Sequence, residues 1–255
     1  VQQRPLQSRI IYGPVNSRRL GRSLGVNILP TERKVCSFDC LYCQYGYTEA
    51  QMVRASVAEV KLPIPAEVAE ALMDALPGAG ELDSITLAGN GEPTLHPHFR
   101  QIVEVVVRQR NRLKPGVQVT ILSNSSTVDD MDVRLALSKI DRRIMKLEAG
   151  TQTAFEKINR PRPGTLLKKI VEGLARLGLV EIQALFIDGP VSNATPAEIE
   201  AWCGHLALIK PVAVQIYTFE RVPADATIQQ VPPARLQEIS RAAQLAVPTA
   251  KIIVY

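Results

Sequence analysis

Three cysteines fall within one short run, Cys36-Ser37-Phe38-Asp39-Cys40-Leu41-Tyr42-Cys43. The spacing C-x3-C-x2-C wraps three thiolates around one compact centre within a single loop, and iron–sulfur clusters take Cys thiolates, usually one per iron. A fourth local thiol is missing, so one iron of a [4Fe–4S] cluster would keep an open position for a small molecule. Zinc is the competing reading. Closed zinc sites use four ligands, often as two C-x2-C pairs, and the chain has neither a second pair nor a His near the loop. Plain structural thiols are the remaining alternative. A disulfide framework would spread an even set of cysteines along the chain. Clustered thiols in a reducing compartment point to metal instead.

Other residue types gather where strands are expected to end. In Gly89-Asn90-Gly91-Glu92-Pro93 the glycines let the backbone approach a ligand closely; the alternative is an ordinary strand-to-helix turn with Glu92 at a helix start. Ser123-Asn124-Ser125 offers short polar side chains that can bind a ligand or cap the next helix. By the period of two, Ile144, Lys146 and Glu148 share one face. A charged group pointing into a core needs a partner, so Glu148 is expected beside Lys146, and Lys146 is also a catalytic candidate. Gln215 and Tyr217 share a face near another strand end and can read a ligand; Tyr217 is the second catalytic candidate. Arg18, Arg19 and Arg22 can clamp a carboxylate or phosphate through the bidentate guanidinium fork, or form a solvated basic face. His96 and His98 read as loop or helix-start residues rather than metal ligands. Cys203 is expected to be a buried structural residue. Arg108, Arg110, Arg112 and Lys114 oppose a helix dipole at its C-terminus.

Strands and helices alternate to hold these groups. Strands are predicted at 24–29, 84–88, 117–122, 144–148, 182–187, 212–217 and 252–255. Helices are predicted at 67–76, 99–110, 130–138, 166–177 (capped by Thr165 and closed by Gly178), 196–209 and 233–245. This alternation implies βαβ units on a parallel sheet. Six units fall short of an eightfold barrel, so the expected fold is α/β, an open partial (β/α)6 barrel. The chain reads as one domain, with a lead-in over 1–21, the barrel over about 22–220 and a C-terminal extension over about 221–255. In such folds the reacting groups sit at the C-terminal ends of the strands.

The chain has 255 residues, 46% apolar and 22% charged, as in ordinary globular proteins. No apolar run is long enough to span a bilayer, and the start lacks the apolar segment of a signal peptide. A cytoplasmic protein is expected. Of the net charge of +5, residues 1–60 carry +4 (eight Lys/Arg less four Asp/Glu), a surround that suits anionic ligands.

The triplet, with Tyr42 as the aromatic before its last Cys, resembles the signature of the radical S-adenosylmethionine (SAM) superfamily. The run Tyr12-Gly13-Pro14-Val15-Asn16-Ser17-Arg18-Arg19-Leu20-Gly21-Arg22-Ser23-Leu24-Gly25 is similar to the opening of the members related to the tRNA wyosine-base synthases. Gly91-Glu92-Pro93-Thr94-Leu95-His96-Pro97, Phe155-Glu156-Lys157-Ile158-Asn159-Arg160-Pro161 and Val214-Gln215-Ile216-Tyr217-Thr218 are similar to other segments of the same members. The resemblance implies that SAM occupies the open iron and is cleaved to methionine and a 5′-deoxyadenosyl radical. It implies SAM contacts at Tyr42, Gly91, Glu92, Ser123, Asn124, Glu148 and Gln215. It also implies an electron donor such as ferredoxin or flavodoxin. Archaeal wyosine synthases carry further cysteines ahead of the triplet; this chain has none before Cys36, so a second cluster is not expected. The expected substrate is anionic, a tRNA base or a small organic acid. A glycyl-radical enzyme activase, or an iron–sulfur electron carrier without SAM, is the alternative.

Overall fold

The computed structural model describes residues 3–49, 51–52 and 60–255. A hairpin opens the chain: β1 (Ile11–Ser17) pairs antiparallel with β2 (Gly21–Val26). At its turn, Ser17 Oγ accepts from the backbone N–H groups of Arg19 and Leu20. Within it Tyr12 stands opposite Gly25, and a Cβ at Gly25 would lie 2.1 Å from the Tyr12 ring. Glycine is thus what lets the ring lie across β2 and donate from its hydroxyl to Ala88 O at 3.2 Å.

The elements that follow are α1 (Pro65–Gly78), β3 (Ser84–Leu87), a 3-10 turn over Pro93–Leu95, α2 (Phe99–Leu113), β4 (Gln118–Ser123), α3 (Met131–Leu137) and β5 (Arg142–Lys146). Next come α4 (Gln152–Ile158), α5 (Leu167–Leu177), β6 (Glu181–Leu185), β7 (Ile187–Asp188), α6 (Pro196–Ile209), β8 (Ala213–Tyr217), β9 (Gln229–Gln230), α7 (Pro233–Ala246) and β10 (Lys251–Val254). One eight-stranded sheet runs in the order β1-β2-β3-β4-β5-β6-β8-β10, parallel from β2 onward. Six strand–helix units therefore precede a seventh parallel strand. The sheet is mixed and open among the described residues, as in a partial barrel. Side chains from the β1–β2 turn nevertheless reach β8 and the end of β10: the Arg19 guanidinium lies 4.3 Å from the Tyr217 ring and 5.8 Å from that of Tyr255.

The central strands are buried on both faces, as a parallel sheet between helices and an inner core requires. Val68, Leu72 and Leu76 of α1 and Ile102, Val103 and Val106 of α2 supply part of the outer layer. Trp202 of α6 is fully buried against Phe186 and donates from Nε1 to Leu147 O at 2.9 Å, which pins the chain just past β5. Toward the N-terminal ends of the strands the core is polar but paired. The hydroxyls of Ser23, Thr86, Ser84 and Thr120 link in a row at 2.7, 3.0 and 2.8 Å.

Several elements differ from the sequence expectation. The first barrel strand ends at Val26, three residues early, because Asn27 turns its amide to Leu29 O and ends the ladder. Thr165 does not cap α5. Its hydroxyl goes to Arg162 O instead, and Leu166 stands at the cap without a side-chain bond. Cys203 is half-buried, packed against the core from one side of α6. Among the described residues no helix is long and apolar enough to cross a membrane.

Candidate active site

Five parallel strands deliver residues from their C-terminal ends to one cavity of about 350 Å³. Ala88, Gly89, Gly91 and Glu92 enter after β3, Ser123 and Asn124 at the end of β4, Lys146 from β5, Gln183 and Leu185 from β6, and Tyr217 and Thr218 from β8. Cys36, Cys40 and Cys43 line the same cavity, with Tyr42 between them.

The cysteine loop is fastened at several points. Val35 bridges Gly91, with Val35 N–H donating to Asn90 O at 2.9 Å and Glu92 N–H to Val35 O at 3.0 Å. Asp39 N–H donates to Asn159 O and Leu41 N–H to Ile158 O, both at 3.0 Å. Phe38 packs edge-on against Phe155. Two amides face the thiols: Asn124 Nδ2 lies 3.5 Å from Cys36 Sγ, and Asn159 Nδ2 3.6 Å from Cys40 Sγ. Burial pushes both of these thiols up to about 12, so each needs a cation beside it to ionise. Iron bound there would supply that charge, and N–H groups aimed at the sulfurs are a recognised means of tuning such a centre. Three cysteine donors, two of them met by amides, on a cavity wall with no fourth thiol beside them suit a cluster with one open iron. Among the described residues no three His, Cys, Asp or Glu side chains gather as a single-ion site.

Glu92 is 1% exposed, and burial raises its carboxyl above the usual range. Its Oε1 accepts from Thr94 N (3.1 Å), Thr94 Oγ1 (2.6 Å) and Ser123 Oγ (2.9 Å), and its Oε2 from Asn124 N at 2.5 Å. The carboxylate is thus occupied in tying the end of β3 to the end of β4, and the backbone beside it faces the cavity. Glu92→Gln is expected to destabilise the protein by about 2–3 kcal/mol, because the amide N–H groups would confront donors. Thermal melting measures this, and an unchanged transition would contradict the bracket.

Glu148 does not line the main cavity. It is 2% exposed, and burial raises its carboxyl to about 8. The Tyr42 hydroxyl donates to it, and Asn159 Nδ2 lies 2.7 Å from its Oε1. Lys146 lines the cavity in front, with Nζ 2.9 Å from Tyr42 OH, 4.0 Å from the ring centroid and 3.9 Å from Glu148 Oε1. The ion pair expected from the strand period is present, with the phenol inserted into it. Gln215 is fully buried beneath the cavity, held by Gln183 and Glu181. Arg18 and Arg19 line the cavity and Arg18 pairs with Glu220 at 2.6 Å, whereas the Arg22 guanidinium points to Ala79 O and its backbone N–H donates to Asp83. His96 is buried between Pro63 O and His98 N, and His98 stands at the N-cap position of α2 without a side-chain bond there. Sequence reasoning missed Asn159, Gln183 and Lys34, which lines the cavity with the cysteines and donates from Nζ to Gly46 O at 2.7 Å. Asn159 lay within the Phe155–Pro161 run, whose similarity was its only signal.

The sequence profile of the radical SAM superfamily matches residues 34–189, more than half of the chain. The chain therefore belongs to the radical SAM superfamily and is an enzyme of that type. It is similar to a UPF0026 protein of Helicobacter pylori, 32% identical over 222 residues, 83% of this chain and 67% of the relative. Among solved structures its fold is similar to that of a radical SAM methyltransferase from Sphaerobacter thermophilus (TM-score 0.63, 16% identical, covering 91% of this chain and 65% of the other). It is also similar to TYW1 with a lysine-pyruvate adduct bound (TM-score 0.61, 14% identical, covering 88% of this chain and 73% of the other). The chain thus spans just under two thirds of the methyltransferase.

Proposed function

We propose that this enzyme holds one [4Fe–4S] cluster through Cys36, Cys40 and Cys43, binds SAM in the adjoining cavity and modifies a small or exposed anionic group. The observation that carries this reading is the shared wall, on which three thiols, the Gly91–Glu92 turn and the β4 end meet. When bound, the cluster and SAM supply the one-electron cleavage chemistry of the superfamily. With SAM bound, backbone groups of Gly91 and Glu92 would hold the methionine amino group, and Ser123 and Asn124 the carboxylate or ribose. Tyr42 and Glu148 close the wall from behind. Gln215 acts through Gln183 rather than by touching the ligand. Lys146 is the polar group placed to hold or move a proton at the substrate, and Tyr217 presents its phenol oxygen to the cavity. Arg18 and Arg19 supply positive charge at the cavity edge, and Arg22 is set apart from them. Hydrophobic residues around these groups exclude water from the reacting centre.

The chain is read as one domain, with a lead-in over 1–21, a partial (β/α)6 barrel over about 22–220 and an extension over about 221–255. The cytoplasm suits its free thiols, and ferredoxin or flavodoxin suits its need for an electron. Anaerobic reconstitution with iron and sulfide, then incubation with SAM and dithionite, is expected to yield 5′-deoxyadenosine. A full cluster complement without any 5′-deoxyadenosine would instead mark an electron carrier.

A further inference from the structure

A continuous hydrogen-bonded column rises from the N-terminal end of β5 and β6 to the cavity. Arg142 grips Glu181 in a fork, Nε to Oε1 at 2.7 Å and Nη2 to Oε2 at 2.8 Å. Gln215 Nε2 donates to Glu181 Oε2 at 3.0 Å, Gln183 Nε2 to Gln215 Oε1 at 3.2 Å, and Tyr217 OH to Gln183 Oε1 at 3.1 Å. The direction of this column follows from chemistry rather than from choice of rotamer. An ionised carboxylate only accepts, so Gln215 must show Glu181 its NH2 group and show Gln183 its oxygen. Gln183 must then give its NH2 to Gln215 and its oxygen to Tyr217. The Tyr217 proton is committed inward. Its remaining lone pair and the second Nε2 hydrogen of Gln183 are what the column can offer a ligand, and both residues line the cavity.

Arg19 stands against the same phenol, its guanidinium 4.3 Å from the ring centroid. Among the described residues its buried Nη1 has no hydrogen-bond partner. The nearby Glu220 carboxylate is already taken by Arg18. An unpaired donor on a half-buried cation is costly, and a small turn of the fork toward an incoming anion relieves it.

We propose that Arg19, Tyr217 and Gln183 form the substrate-recognition subsite, and that it selects a compact carboxylic acid bearing a hydroxyl or ammonium beside the carboxylate. Arg19 and the free Gln183 N–H hold the carboxylate, and the Tyr217 oxygen accepts from the adjacent donor. The subsite rests on the SAM-cavity reading above. With SAM against the cysteines in a cavity of about 350 Å³, little room is left for a bulky partner. Arg19 is half-buried and stacked on the Tyr217 ring, a placement that favours a small acid over an RNA phosphate backbone.

The test uses the reconstituted holoenzyme with SAM present and three probes: lactate, propanoate and inorganic phosphate. Equilibrium dialysis gives their dissociation constants and that of SAM. Lactate is expected to bind at least tenfold tighter than propanoate, because a site with a committed acceptor rejects the analogue lacking the donor. Arg19→Gln is expected to raise the lactate constant at least tenfold, well beyond any change for SAM. Tyr217→Phe is expected to bring the lactate and propanoate constants together without weakening propanoate, an outcome that a merely misfolded variant would not give. Arg108→Gln, on the exposed face of α2, serves as the unchanged control. Equal binding of lactate and propanoate by the native enzyme overturns the proposal, as does preferential binding of phosphate. A loss of SAM affinity in Arg19→Gln as large as the loss for lactate would assign these groups to SAM instead. Absence of 5′-deoxyadenosine in a parallel assay of the native enzyme counts against the SAM reading, and is distinguishable because the probe constants are read separately.

Discussion

Single replacement of Cys36, Cys40 or Cys43 by alanine is expected to abolish iron retention after reconstitution and, with it, all 5′-deoxyadenosine formation, whereas Cys203→Ala keeps both. Each of the three thiols is one of only three protein ligands available to the cluster, so no neighbouring cysteine can replace it. Cys203 lies on α6, is half-buried and does not line the cavity. The expected effect is complete loss rather than a graded one, because the two thiols left in each variant are too few to hold the cluster. Iron and sulfide per chain, with the visible absorption of the reconstituted protein, provide the measurement. A triplet variant that retains the full iron content would remove the assignment.

Much of this architecture is legible from residue patterns, and the exceptions have physical causes. The parallel strands announce themselves because they are short apolar runs between turn residues, as in Ser84–Leu87. The hairpin strand β1 does not, since Gly13-Pro14 interrupts its alternation and the pairing shifts register between Tyr12 and Val15. The short helix α4 also went unpredicted, although α3, of the same length, did not. In the site, the cysteines and the Gly91–Glu92 turn are local in sequence and so could be singled out. Asn159 meets Cys40 across 119 positions, and nothing local to either residue predicts the contact. Glu148 shows the same limit from the other side. Its place at a strand end suggested a ligand contact, but the ring of Tyr42, delivered by a different loop, stands between it and the cavity. The direction of the Glu181–Gln215–Gln183–Tyr217 column is likewise a property of two strands, β6 and β8, and of neither alone.

Gly91→Ala is expected to destabilise the protein by roughly 3 kcal/mol or more and to lower its iron content, while Gly204→Ala is expected to stabilise it by about 0.5–1 kcal/mol. Gly91 holds φ +137°, a conformation that an L side chain rarely adopts. A Cβ there would lie 1.8 Å from Val35 O and 2.5 Å from Val35 C, both backbone atoms that cannot swing aside. To admit the methyl group, the strand at Val35 must retreat. That movement strains or breaks the bonds from Val35 N to Asn90 O and from Glu92 N to Val35 O. The residue after Val35 is Cys36, so the first thiol is displaced from the wall it shares with Gly91 and Glu92. Gly204 presents the opposite case. It lies within α6, where a Cβ meets nothing within 4 Å, so alanine gains helix propensity at no steric cost. Chemical denaturation of the two variants beside the native protein tests the difference in sign, and iron analysis tests the coupling to the cysteine loop. Native-like stability in Gly91→Ala would mean that the Val35–Gly91 bridge does not hold the loop. Lost stability with full iron content would uncouple the bridge from the thiols.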